Sequence, residues 1–175
     1  MGAVVSASHN PAEDNGIKLL SARGGKLASD VERELEDRLR SSGWQAATGA
    51  TIGYRTWNPD GLYEYLDHLA SASRYSLNGV RLAIDCANGA AYKAAPQLFE
   101  RLNADVVVFN AEPNGRNINQ DCGATHPGFV AENGDGRIGL AFDGDADRLI
   151  AADEDGEVAN GDVIMAVSYT HLTLP

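Results

Sequence analysis

Three short apolar runs, "VRLAID" (Val80–Asp85), "DVVVF" (Asp105–Phe109) and "IGLAF" (Ile138–Phe142), are spaced along the chain from Val80 onward. Each is long enough for a buried strand and too short for a helix. After the first, "CANGAA" turns into a helical stretch with Tyr92, Ala95, Leu98, Phe99 and Leu102 on its apolar face. Strand, helix and strand in that order bring the chain back parallel to its start. The chain is therefore expected to build an α/β layer around a parallel sheet. "RLIAADEDGEVA" adds a β-hairpin turning at Asp155-Gly156. Pro96 is expected in the first turns of its helix, or at a kink.

The first sixty residues are less regular. "GAVVS" (Gly2–Ser6) and "GIKLLS" (Gly16–Ser21) read as strands joined by a polar loop with turn chemistry at Pro11 and Asn15-Gly16. "SDVERELEDRLRSSG" reads as a helix, with Val31, Leu35 and Leu39 on one face, a Ser29/Glu32 capping box at its start and Gly43 to end it. Residues 44–59 are polar, contain Gly49, Gly53 and Pro59, and read as a linker. Leu62, Tyr65, Leu66 and Leu69 then form a second amphipathic helix.

Composition removes several functions. A formal net charge of −11 argues against nucleic acid and anionic membrane as partners, since both demand clustered Lys and Arg. No apolar run approaches ~20 residues, and no basic segment precedes an apolar one near Met1, so a cytoplasmic protein is expected. Cys86 and Cys122 lie far apart without CxxC spacing and are expected to be buried, reduced thiols.

Two stretches carry chemistry. In "AFDGDADR", Asp143, Asp145 and Asp147 alternate, and three carboxylates that close repel one another unless a cation sits among them. An all-oxygen donor set suits Mg²⁺ or Ca²⁺. An EF-hand is rejected, because Arg148 stands where the loop needs Gly and the flanks are strand-like. The bland alternative is a solvated acidic turn. Arg148 suits an anion shared with the metal, such as a phosphate. The second stretch, "SASHNPAEDNGIK", is too polar for a core and too rich in turn formers for a helix. Ser8 is its candidate phosphate carrier, with Ser6 as the competing nucleophile. His9 and Lys18 each have a plain structural reading as well, in loop bonding and at a strand start.

Together, "VVSASHNPAEDNGIK" and "GLAFDGDADR" resemble the phosphoserine loop and the metal loop of the α-D-phosphohexomutase superfamily. "DCANGAAYKAAP", "EPNGRNIN" and "CGATHP" are similar to its bacterial phosphoglucosamine mutase branch; the phosphomannomutase/phosphoglucomutase branch shares the two loops but differs across "NINQDCGATHP". The resemblance covers about residues 2–166. It implies three-layer α/β/α domains with mixed sheets. Residues 1–43 would be the end of a first domain, 60–166 most of a second, and 167–175 an atypical tail that reads as foreign sequence.

It also implies roles. Ser8 would carry the phosphate and complete a Mg²⁺ site with Asp143, Asp145 and Asp147; Arg148 and Asn10 would contact phosphate. His9 and Lys18 would be catalytic, Lys18 as a general acid/base. The substrate would be a sugar phosphate, glucosamine 6-phosphate going to glucosamine 1-phosphate through glucosamine 1,6-bisphosphate, on the route to UDP-N-acetylglucosamine and peptidoglycan. Activation would need phosphorylation of Ser8. The family's sugar-reading and phosphate-binding domains are not among these residues, so the 175 residues by themselves are expected to be inactive. A non-catalytic metal-binding module is the alternative from another class.

Overall fold

In the computed structural model, residues 1–43 and 45–173 are described. They divide into two compact units. One comprises Met1–Val5 with Ile17–Pro59, and the other Ser6–Gly16 with Asp60–Pro175.

Strands β1 (Gly2–Ser6) and β2 (Gly16–Leu20), which belong to the first unit except for Ser6 and Gly16, pair as a two-stranded sheet, and helix α1 of that unit spans Ser29–Arg40. The capping box expected at Ser29 does not form. Ala28 is the N-cap and no side chain caps the helix. Glu32, the other half of the expected box, instead lies 3.7 Å from Lys26, while Asp30 and Glu32 still set negative charge against the first turn. Ser41, rather than Gly43, ends the helix: its N–H donates to the Asp37 and Arg38 carbonyls and its Oγ donates to Arg38 O at 2.7 Å. Residues 45–59 carry only one 3₁₀ turn, Gly49–Thr51.

The second unit is built on a five-stranded mixed sheet. β3 (Arg81–Asp85) lies between β4 (Asp105–Phe109) and β5 (Ile138–Phe142), parallel to both. β6 (Leu149–Ala152) and β7 (Val158–Ala159) extend the β5 edge antiparallel, in the order β4-β3-β5-β6-β7. Strand alternation decides which side each residue covers. Leu82, Ile84, Leu140 and Phe142 face helix α3 (Ala91–Arg101), where Ala91 and Ala95 complete the core. Ala83 and Ala141 face the other way, onto Val130 of the short helix α4 (Gly128–Asn133). Phe109 meets Phe129 of α4 edge-on at 5.6 Å.

Helix α2 (Gly61–Ala72) buries Leu66 completely, and its Asp67 accepts a 2.6 Å charged hydrogen bond from Arg101 of α3. Helices thus cover both faces of the sheet, the α/β arrangement expected. Complete burial of Leu66, Ile84 and Val130 contributes about 1.5–3 kcal/mol each.

Pro96 sits in the middle of α3, where its missing N–H leaves the Tyr92 carbonyl without the usual bond. Cys86 and Cys122 are free, buried thiols. Burial, with the Asp85 charge adding to it, pushes each up to about 12, so neither is a nucleophile at neutral pH. Helix α5 runs Gly161–Thr173, so the helix continues into "SYTHLT"; Leu174 and Pro175 of the tail lie outside the described residues. Among the described residues, no helix is long and apolar enough to cross a membrane.

Candidate phosphoryl-transfer site

The carboxyl end of a parallel sheet is where α/β folds hold ligands, because the loops leaving neighbouring strands converge there. Here the loop leaving β5 is residues 143–148, closed by the antiparallel return of β6. Asp143 begins it with its backbone N–H on Arg148 O (3.3 Å), and Asp143 Oδ1 accepts the Arg148 N–H at 3.1 Å. Ala146 N–H closes the turn on Asp143 O, and Ala146 takes φ +60° to do so.

The three aspartates converge. One oxygen from each of Asp143, Asp145 and Asp147 lies within 4.8 Å of the other two. Their burial is graded, from Asp143 at 0% exposure to an exposed Asp147. Asp143 Oδ2 is buried with no hydrogen-bond partner. A bare carboxylate oxygen in that setting is costly unless a cation or donor meets it. Desolvation pushes the Asp143 carboxyl above its ordinary range. The Arg148 N–H opposes the shift, and the charges of Asp145 and Asp147 add to it. A hard divalent cation relieves all of these strains together, so the residues fit Mg²⁺.

The serine loop lies in the same unit. Ala7 to Asn10 form a tight turn, with Asn10 N–H on Ala7 O at 2.9 Å. Ser8 takes φ +53°, a conformation that costs a non-glycine residue on the order of 1 kcal/mol and is maintained only where neighbours impose it. Its N–H donates to Ser6 Oγ at 2.8 Å, and its Oγ donates to Asp145 Oδ1 at 3.1 Å. His9 Nδ1 stands 3.5 Å from Ser8 Oγ, close to the hydroxyl but beyond a strong hydrogen bond.

Of the residues singled out from sequence, Ser8, His9, Asp143, Asp145 and Asp147 are therefore brought together. Asn10 is tied in through its backbone, with its N–H on Ala7 O and its carbonyl accepting from Asn119. Arg148 borders the cluster, its guanidinium 3.8 Å from the Asp147 carboxylate and more than half exposed. Lys18 is on β2, in the first unit. A cleft of about 530 Å³ opens beside the loop, with His9, Arg116, Asp121 and His126 among its walls.

Sequence reasoning passed over several supports. Asp85, at the end of β3, is wholly buried and accepts the Ala87 and Gly123 N–H groups at 2.9 and 2.8 Å. Gly144 lets three loops meet, since a Cβ there would overlap the Ser8 backbone O and crowd the Ile118 and Asn119 side chains at Cδ1 and Nδ2. Asn119 bonds the serine loop directly. The available signals were an acid ending a buried strand and a glycine between two aspartates. Asn119 had none.

The chain is similar to known proteins along most of its length. The phosphoglucomutase/phosphomannomutase alpha/beta/alpha domain I family matches residues 1–46, and the corresponding domain II family matches residues 63–156. A phosphoglucosamine mutase of Clostridium tetani is 47% identical over 98% of this chain, and one of Rhizobium etli is 48% identical over 95% of it. The chain spans 39% and 38% of those two relatives. Among solved structures, a phosphoglucomutase/phosphomannomutase family protein from Burkholderia thailandensis superposes with a TM-score of 0.73 at 26% identity, over 97% of this chain and 37% of that one.

Proposed function

The chain belongs to the phosphoglucomutase/phosphomannomutase family, and we propose that it carries the phosphoserine and metal loops of a phosphoglucosamine mutase. The observation that supports this most is the 3.1 Å hydrogen bond from Ser8 Oγ to Asp145. It sets the candidate phosphate carrier directly on the candidate metal cluster. Two unrelated loops, separated by over a hundred residues, would have no reason to meet so in a solvated acidic turn.

In the proposed reaction, phosphorylated Ser8 donates its phosphoryl group to the free hydroxyl of glucosamine 6-phosphate. The Oγ–P bond breaks as the sugar O–P bond forms, and the hydroxyl proton passes to a base. Glucosamine 1,6-bisphosphate reorients, its other phosphoryl group returns to Ser8, and glucosamine 1-phosphate is released. Asp143, Asp145 and Asp147 would hold Mg²⁺, which neutralises charge on the transferred group. The turn at Ser8 presents Oγ in one fixed direction, replacing a search through rotamers and loop shapes. His9 stands near enough to Oγ to orient it, and Arg148 near enough to the cluster to steady phosphate oxygens. Lys18 is nominated as general acid/base by resemblance alone. Such chemistry suits a cytoplasmic setting.

The test replaces the corresponding stretch of a full-length phosphoglucosamine mutase with residues 1–166. Incubated with Mg²⁺ and glucosamine 1,6-bisphosphate, the chimera is expected to gain one covalent phosphate, located on the tryptic peptide holding Ser8. Asp145→Asn should slow that labelling by about 100-fold or more, the effect of removing one well-placed electrostatic group. Labelling elsewhere, or equal labelling in the variant, would refute the assignment.

A further inference from the structure

We propose that Asn119 is a positioning residue: a clamp that holds the serine loop in the geometry a phosphate on Ser8 needs to reach the metal. The inference rests on the reading of Ser8 as phosphate carrier and goes beyond it. Asn119 lies on a different loop from either motif, between β4 and α4. Its Nδ2 donates to Ser8 O at 2.7 Å and to Asn10 O at 2.9 Å, so one amide group uses both protons on the two ends of the turn. The orientation of the amide is settled by these partners, because a flipped side chain would set its oxygen against two carbonyl oxygens. The residue itself is fixed. It is 7% exposed, takes φ +57°, and its own N–H donates to Ala87 O at 2.9 Å.

The clamp acts where the loop is strained. Ser8 has positive φ, and without an external hold the turn would relax toward ordinary backbone angles and swing Oγ away from Asp145. Gly144 leaves room for the contact, since a Cβ there would come within 2.8 Å of Asn119 Nδ2. The hydroxyl-to-Asp145 bond is one weak link, whereas a phosphate on Ser8 would have to be aimed at the aspartate cluster to help hold a cation there. Loss of the clamp should therefore matter little to the bare aspartate cluster and much to the cluster completed by phosphoserine.

The experiment is a four-cornered comparison on the 175-residue chain, with Ser or genetically encoded phosphoserine at position 8 and Asn or Ala at position 119. Mg²⁺ affinity is read by calorimetry. With Asn119, phosphoserine should tighten Mg²⁺ binding; Asn119→Ala should reduce that gain by about tenfold, equivalent to ~1.4 kcal/mol, and leave the affinity of the unphosphorylated chain unchanged. A general loss of structure would lower both affinities alike, and that result overturns the proposal, as does an undiminished gain. No gain even with Asn119 in place would instead sink the phosphoserine reading, and the clamp with it. A second measurement needs no variant. The side-chain amide protons of Asn119 should exchange with solvent far more slowly than those of exposed Asn114; equal exchange contradicts the clamp.

Discussion

Ser8→Ala, made in the chimera described above, should abolish turnover, a fall on the order of 10⁴-fold or more, because a phosphate relay without its carrier has no covalent step. Ser6→Ala is the informative partner. Ser6 Oγ accepts the Ser8 N–H at 2.8 Å, so it supports the turn without carrying the phosphate. Its loss should cost one hydrogen bond of about 1 kcal/mol, roughly a fivefold fall in rate. Coupled assay of glucosamine 1-phosphate formation reads both variants. A dead Ser6→Ala beside an active Ser8→Ala would move the carrier to the other serine.

Gly144→Ala should also be damaging, for a steric reason. The new methyl would overlap Ser8 O and press on Ile118 Cδ1 at 2.7 Å and Asn119 Nδ2 at 2.8 Å. Two of those three are polar backbone or clamp atoms that cannot move without breaking bonds. The carbonyl of Gly144 is fixed too, accepting the Ala90 N–H at 2.8 Å. Overpacking of this kind costs about 1–3 kcal/mol, a fall in melting temperature of roughly 3–10 °C. The displaced serine loop should cut turnover by about 100-fold or more. Gly161→Ala is the control, because nothing lies within 4 Å of a Cβ there. Comparable losses in both variants would show that the close approach at Gly144 is unimportant.

The strands were the most legible part of the fold. β1, β4 and β5 span the residues expected of them, since short apolar runs between turn formers leave few alternatives. Helix ends were less legible. Whether Ser29 caps or enters its helix is a one-residue choice, settled here by the Glu32 N–H bonding to Ala28 O at 3.0 Å, which local pattern does not reveal. Position of Pro96 is similar: the packing of Ala91 and Ala95 on the sheet holds a helix that proline disfavours.

Within the site, the serine and the aspartates were visible because each motif concentrates unusual chemistry in a few residues. Asn119 and Gly144 were not, because their roles exist only where three loops meet. Chain order groups Ser6–Gly16 with the helix that follows it. The compact units group it with residues 60–175, the side from which Asp145 and Asn119 bond it.

The central claim is that Ser8 and the three aspartates form one phosphate–metal centre. It is tested most directly by ³¹P NMR of the 175-residue chain carrying phosphoserine at position 8, titrated with Mn²⁺ in place of Mg²⁺. A paramagnetic ion directly bonded to the phosphate should broaden its resonance beyond detection at one equivalent, and Asp143→Asn with Asp145→Asn should restore the signal. A phosphate resonance that stays sharp while Mn²⁺ occupies the aspartates would contradict the account.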